Sequence, residues 1–264
     1  MSDTKTTSQV IHDRIDPARA AALHHVLGRA GLPPGPVTAL PAFWHQIYFW
    51  DVAAPDALGP DGHPATGGLI PDLGLPKRMW AGGRLRFHAP FLCAVQATRT
   101  SSVRAVTRKT GRTGDLAFVT LRHEIRQRGG LVLSEDQDLV YRAADAAAGA
   151  PPEPPRGGRL RDTRRFEPTL LFRYSALTMN GHRIHYDADY ARREEGYPGL
   201  VVHGPLLAQW LMAFAEEDLG PLTAFEFRAT APVFAGQMVR FYSDEGRYWV
   251  IGGDDQLCMR AEAR

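Results

Sequence analysis

GYPGLVVHGPLLA, residues 196–208, couples an apolar pair to a His-Gly-Pro step and opens into a run of aliphatic and aromatic residues. Leu207, Trp210, Leu211 and Phe214 recur at helical spacing, which predicts a helix from about Gly204 to Glu217. The apolar stretch from Gly199 to Phe214 is broken by His203, Gly204, Pro205 and Gln209, so it does not read as a membrane span. After it, AFEFRA, QMVRFYS, RYWVIG and LCMRAEA alternate as strands, and another strand is expected near Leu170 to Tyr174.

A similar unit is expected earlier in the chain. Asp16 as N-cap and Pro17 at the first helical position open a helix carrying Leu23, Val26, Leu27 and Ala30 on one face. FWHQIYFWDV predicts a second helix, followed by a Gly/Pro-rich loop from Pro55 to about Pro76. From Arg84 to Arg142 the alternation is that of an antiparallel meander. RFHAPFLCAVQ in this half is echoed by FRATAPVFAGQ in the other, so two copies of one α+β unit are expected, their sheets pairing edge to edge. The boundaries expected are 1–145 for the first half, a Pro/Gly-rich linker over 146–165, and 166–264 for the second half.

Charge and cysteine content narrow the function. The 264 residues carry 31 basic and 29 acidic side chains, a net +2 that does not call for nucleic acid or membrane. A basic strip from Arg99 to Arg128 reads either as a solvated sheet face or as a landing strip for a phosphorylated ligand. Cys93 and Cys258 lack CxxC spacing, and MSDTKTTSQV lacks the pattern of a signal peptide, so a cytoplasmic protein is expected.

The chemistry concentrates in TMNGHRIHYD, residues 178–187. His182 and His185 sit three apart, near Asp187 and His203, but no third ligand has the spacing of a zinc motif and there is no HExxH. GxSxG, GxxxxGK and GxGxxG are absent as well. A polar turn or an acid/base site remains, and neither a metal nor a cofactor is expected.

Together, NGHRIH, the VVHG step and the downstream FRATAPVFAGQ resemble the MaoC-like double hot-dog hydratases and dehydratases, through Asn180, His182, Arg183, His185, His203 and Gly204. The resemblance is close over 170–264 and looser over the first half. It implies an α+β double hot-dog, two antiparallel sheets each wrapping a central helix. The reaction it implies is addition or removal of water across the α,β double bond of an acyl-CoA thioester, of the mesaconyl-C4-CoA or itaconyl-CoA hydratase type. The alternatives are a fatty-acid-type 3-hydroxyacyl-thioester dehydratase, an acyl-CoA thioesterase and an acyl-CoA binding module. Where the family pattern has a catalytic Asp this chain has Asn180, which cannot exchange protons at neutral pH.

The roles implied are His185 as acid and base, Asn180 as the holder of water, and the Gly204 backbone N–H as the donor to the thioester oxygen. His203 would fix the turn, His182 and Trp80 would contact substrate, and Arg84 would lie near the CoA phosphates. Arg183 would hold the free carboxylate of a dicarboxylate monothioester. The partners expected are an acyl-CoA or acyl-carrier-protein thioester and no nucleic acid or membrane, with a homodimer as an allowed assembly.

Overall fold

The computed structural model describes residues 8–111, 114–143 and 151–264. The first half runs β1 (Ser8–Arg14), α1 (Pro17–Val26), β2 (Lys77–Phe87), β3 (Gln96–Gly111), β4 (Gly114–Gln127) and β5 (Gly130–Arg142). The second runs β6 (Arg159–Arg165), α2 (Pro168–Thr178), α3 (Ala188–Arg193), α4 (Gly204–Leu219), β7 (Ala224–Ala229), β8 (Met238–Asp244), β9 (Arg247–Ile251) and β10 (Leu257–Ala263). Asp16 caps α1 by accepting from the Ala18 amide at 2.8 Å, with Pro17 next, as expected.

The ten strands of the described residues form one antiparallel sheet, ordered β1-β3-β4-β5-β2-β7-β10-β9-β8-β6. That order is the same read from either end, so the halves are related by a pseudo-two-fold whose seam is the β2–β7 pairing, Gly82 to Arg86 against Arg228 to Ala224. Pairing there removes one exposed edge from each half-sheet, and the double hot-dog arrangement follows. The sequence echo has a structural meaning: RFHAPFLCAVQ carries the chain from β2 to β3 and FRATAPVFAGQ carries it from β7 to β8. Every residue of α4 from Pro205 to Ala215 is buried, as a helix apolar on all sides must be, and the aliphatic faces of both half-sheets share one core with it.

Three expectations change. Leu170 to Tyr174 belong to helix α2, not to a strand: Leu171, Tyr174 and Ser175 form its buried face at i, i+3 and i+4, a pattern that LLF alone does not reveal. FWHQIYFWDV yields only a 3₁₀ turn, Trp44–Ile47, because Phe43 and Phe49 take left-handed backbone (φ 71° and 58°) that an α-helix cannot include. Of the expected linker, 146–150 lie outside the described residues, while Arg159–Arg165 form the edge strand β6, paired with β8. Its charged sequence, RLRDTRR, suits an edge that must not recruit another strand.

Candidate functional site

Short backbone contacts bring the sequence motifs together. The Val201 amide donates to the Ile184 carbonyl at 2.9 Å, Val202 to Val233 at 2.8 Å, and Ala235 to Leu200 at 2.9 Å. The polar cluster, the apolar pair and the downstream motif are therefore neighbouring strips of chain across the head of α4.

His185 is buried, and its Nδ1 lies 2.7 Å from the Val201 carbonyl oxygen. A carbonyl only accepts, so Nδ1 carries the proton and Nε2 keeps its lone pair. The ring stacks on His203 at 3.7 Å between centroids, and His203 shares a 2.8 Å hydrogen bond with the Ser175 hydroxyl. His182 stands edge-on to His185 at 5.6 Å, and His63 lies 4.7 Å from His182. Burial pushes His185 down to about 3, and burial with the nearby charge of Arg78 pushes His182 to about 4. Burial holds His203 well below the ordinary imidazole value, and burial with the nearby charge of Arg78 does the same for His63. All four rings are neutral at physiological pH, which permits such close packing.

At the head of α4, the Leu206 and Leu207 amides bond to the His203 carbonyl at 3.0 and 3.2 Å, and Pro205 has no N–H. The Gly204 amide has no partner among the described residues, so it is the donor left open at the positive end of the helix. A Cβ at Gly204 would meet the Trp80 carbonyl at 3.9 Å and Met259 at 4.0 Å, so protein packing does not itself demand glycine.

The remaining expected residues are placed differently. The Asn180 side-chain oxygen accepts from the His182 amide at 3.0 Å, closing an Asx turn that leaves only its NH₂ group for other partners. Arg183 bonds Asp187 at 2.8 and 3.1 Å and the Pro60 carbonyl at 3.1 Å, and lies over the Tyr190 ring. Arg84 is bound by Asp138 with Asp136 beside it, and the same Asp136 takes Arg104 and Arg122. Arg104 and Arg122 of the basic strip are thus paired across the sheet with a carboxylate. Trp80 packs against Phe43 and Phe227, its indole N–H donating to the Gly82 carbonyl at 2.8 Å, and its backbone carbonyl is its nearest approach to Gly204.

Sequence reasoning missed Asp61 and His63, which arrive from the Gly/Pro-rich loop of the first half. The Arg183 amide donates to the Asp61 carbonyl at 2.9 Å, and a Cβ on Gly62 would fall 2.1 Å from the Gly181 carbonyl oxygen. Two backbones this close require glycine on both sides. Ligand atoms of Asp61, His63 and His182 lie within 4.8 Å of one another and could hold a metal ion. Beside them opens a cavity of about 800 Å³ between the loop, the start of β2, Tyr141 and α3. The only sequence signal for the loop was a lone His within GPDGHPA.

A central helix cradled by a pseudo-symmetric sheet defines a double hot-dog protein, with neutral imidazoles grouped beside an open helix-terminal amide. The chain belongs to the hydroxyacyl-thioester dehydratase type 2 family, whose model matches residues 43–235, and is an enzyme of the hydratase and dehydratase class. It is 45% identical to the mesaconyl-C(4)-CoA hydratase of Chloroflexus aurantiacus over 231 residues, 86% of this chain and 82% of that protein. It is 27% identical to the mitochondrial hydroxyacyl-thioester dehydratase type 2 of Schizosaccharomyces pombe, covering 81% of each chain. Among solved structures, HtdX of Mycobacterium tuberculosis superposes with a TM-score of 0.70 at 18% identity over 98% of this chain and 99% of that one. A second Mycobacterium tuberculosis protein, described as a double hot-dog, gives 0.61 at 17% identity over 99% and 96%. No helix among the described residues is long and apolar enough to cross a membrane.

Proposed function

We propose that the chain catalyses reversible addition of water across the α,β double bond of an acyl-CoA thioester, with an unsaturated C4 or C5 dicarboxylate monothioester, mesaconyl-C4-CoA foremost, as substrate. The observation that carries this is His185: its proton is fixed on Nδ1, its Nε2 is a free base, and it stacks on the residue that precedes the open Gly204 amide. Similarity to the mesaconyl-C(4)-CoA hydratase over most of both chains supports the substrate class.

In the hydration direction, Nε2 of His185 takes a proton from water as the oxygen adds to the β-carbon. The π electrons move toward the thioester, and the Gly204 N–H stabilises the enolate oxygen that results. The α-carbon then takes the proton back from the His185 imidazolium. Burial makes that imidazolium a strong acid and the neutral ring a weak base, so the return is favourable and uptake of the water proton is the demanding step, one that the Gly204 N–H eases by stabilising the enolate. Asn180, unable to exchange protons, keeps the motif in its turn and offers its NH₂ group to water. Residues 1–145 serve as the half that supplies the groove for the thioester arm. Arg78, which lines the cavity beside His63 and has no ion pair among the described residues, favours a carboxylated substrate over the aliphatic chain of a fatty-acyl dehydratase.

Hydration is read as loss of the conjugated-thioester absorbance of mesaconyl-C4-CoA, itaconyl-CoA and crotonyl-CoA. Activity is expected on the first two above the third, and His185→Ala is expected to lower it by about 10²- to 10⁴-fold with unchanged circular dichroism. No hydration of any of the three, or retention of more than a tenth of the rate in the variant, refutes the reading. A cytoplasmic location, a homodimer and use of carrier-protein thioesters complete the proposal. They are checked by fractionation, light scattering and parallel assays on CoA and carrier-protein substrates.

A further inference from the structure

We infer that Arg78, with Tyr141 opposite it, is the receptor for the free carboxylate of the substrate. The inference rests on the dicarboxylate reading above and replaces Arg183 in the role the sequence suggested. Arg183 is already engaged by Asp187 and the Pro60 carbonyl. Of the other cations lining the cavity, Lys77 faces Glu195 at 3.6 Å and Arg193 faces Asp189 at 3.8 Å. Arg78 lines the same cavity and has no ion pair or side-chain hydrogen bond among the described residues. Its charge reaches the imidazoles, since it is the leading electrostatic contribution disfavouring protonation of His182 and of His63.

A second, independent feature points to the same place. Tyr141 on β5 is directly opposite Arg78 on β2, lines the cavity, and is 2% exposed, yet its hydroxyl has no hydrogen-bond partner among the described residues. A buried hydroxyl without a partner is a group waiting for an acceptor. A carboxylate between the two would take a guanidinium donor and a phenolic donor, the pairing that separates a carboxylate from a methyl group. Arg78 lies two residues before Trp80 on β2, and the Trp80 carbonyl stands 3.9 Å from where a Gly204 Cβ would be, so one strand borders both the cavity and the head of α4.

The test uses saturated thioesters that bind without reacting, succinyl-CoA with a carboxylate and butyryl-CoA without, titrated calorimetrically into the wild type, Arg78→Met, Arg78→Lys and Tyr141→Phe. The wild type is expected to prefer succinyl-CoA by about 10- to 100-fold, the range of a charge-assisted hydrogen bond. Arg78→Met should bring the two affinities together by weakening succinyl-CoA alone, Arg78→Lys should restore part of the gap, and Tyr141→Phe should narrow it. Equal weakening of both ligands, an unchanged gap in Arg78→Met, no preference in the wild type, or loss of the preference in Arg183→Met instead would overturn the assignment. Failure of the hydratase reading shows separately, as absence of hydration on any enoyl thioester whatever the binding preference.

Discussion

Lowering the pH from 7.5 to 5.5 should destabilise this protein unusually steeply, because its site is made of imidazoles that the fold keeps neutral. His182, His185 and His203 are 7%, 6% and 0% exposed, and burial lowers the proton affinity of each, to about 4 and about 3 for the first two. An imidazole with a depressed folded pKa contributes fully above its unfolded value of about 6.5, and that contribution is lost as pH falls toward the folded pKa. At pH 5.5 each unfolded imidazole gains about 1.4 kcal/mol from protonation that the folded ring forgoes, so these three rings remove about 4 kcal/mol, and His63 and His123, also lowered by burial, act in the same direction. That is a large share of the roughly 5–15 kcal/mol typical of a folded domain. Urea melts at half-unit pH intervals measure it, and at a slope of about 2.5 kcal/mol/M the midpoint should fall by about 1.6 M. Glu195 and Glu216, raised by burial, work in the opposite direction, so the sharper comparison is between the wild type and His182→Asn. The variant's stability should fall less steeply, by about 1.4 kcal/mol less over the same interval. A wild-type loss below about 1 kcal/mol, or parallel curves for the two proteins, would mean the rings are protonated or solvated in the fold.

The loop that brings Asp61 and His63 to the motif is held by backbone contact, so Gly62→Ala, with φ +85° and a Cβ 2.1 Å from the Gly181 carbonyl, should cost about 2 kcal/mol or more and reduce turnover. An unchanged melting temperature and rate would show that the loop does not dock there. Asn180→Ala removes the acceptor of the Asx turn and should cost about 1 kcal/mol in urea melts, with lower turnover. Asn180→Asp keeps an acceptor and should fold normally with activity preserved. An Asp variant as impaired as the Ala variant would point to a need for the amide NH₂ itself.

The sequence carried most of the second half because its signals are local. Leu207, Trp210, Leu211 and Phe214 declared α4, and the last four strands lie within a residue of their expected limits. His185 and Gly204 were singled out by the family resemblance of their two motifs, and the hydrogen bonds of Val201 to Ile184 and to His185, which no local window contains, are what bring those motifs together. Other residues depended on tertiary partners that no window contains. Arg183 looked available until Asp187 and Pro60 were found around it, and Arg84 until Asp138 was found across the sheet. Arg78 shows the reverse, since nothing near it in the chain marks it, and its open guanidinium is visible only once Tyr141 and the cavity are in place. FWHQIYFWDV misled because its composition suits a buried helix, whereas its outcome was set by two left-handed residues at Phe43 and Phe49.

That aborted helix explains why two similar halves make one site. The Leu40 amide donates to the Phe91 carbonyl at 2.8 Å as Val202 does to Val233, and the bridge Ala39–Leu92 matches Val201–Phe234. Pro41 and Ala42 therefore stand where His203 and Gly204 stand in the other half. Beyond Gly204 a sixteen-residue helix begins, and its first amide is left open. Beyond Ala42 the chain turns left-handed, and the Ala42 amide donates at 3.0 Å to the side chain of Glu216, which comes from α4 itself. An acceptor already on that amide leaves no donor for an enolate oxygen, and a carboxylate there repels a second negative charge. The histidines nearest the position matching His185, His24 and His25, belong to α1 instead, where His24 shares a 3.1 Å hydrogen bond with the Gly31 carbonyl and packs edge-on to Trp44. The first half thus has no open amide at this point, while the loop that follows its turn reaches across the pseudo-two-fold to bring Asp61 and His63 beside His182.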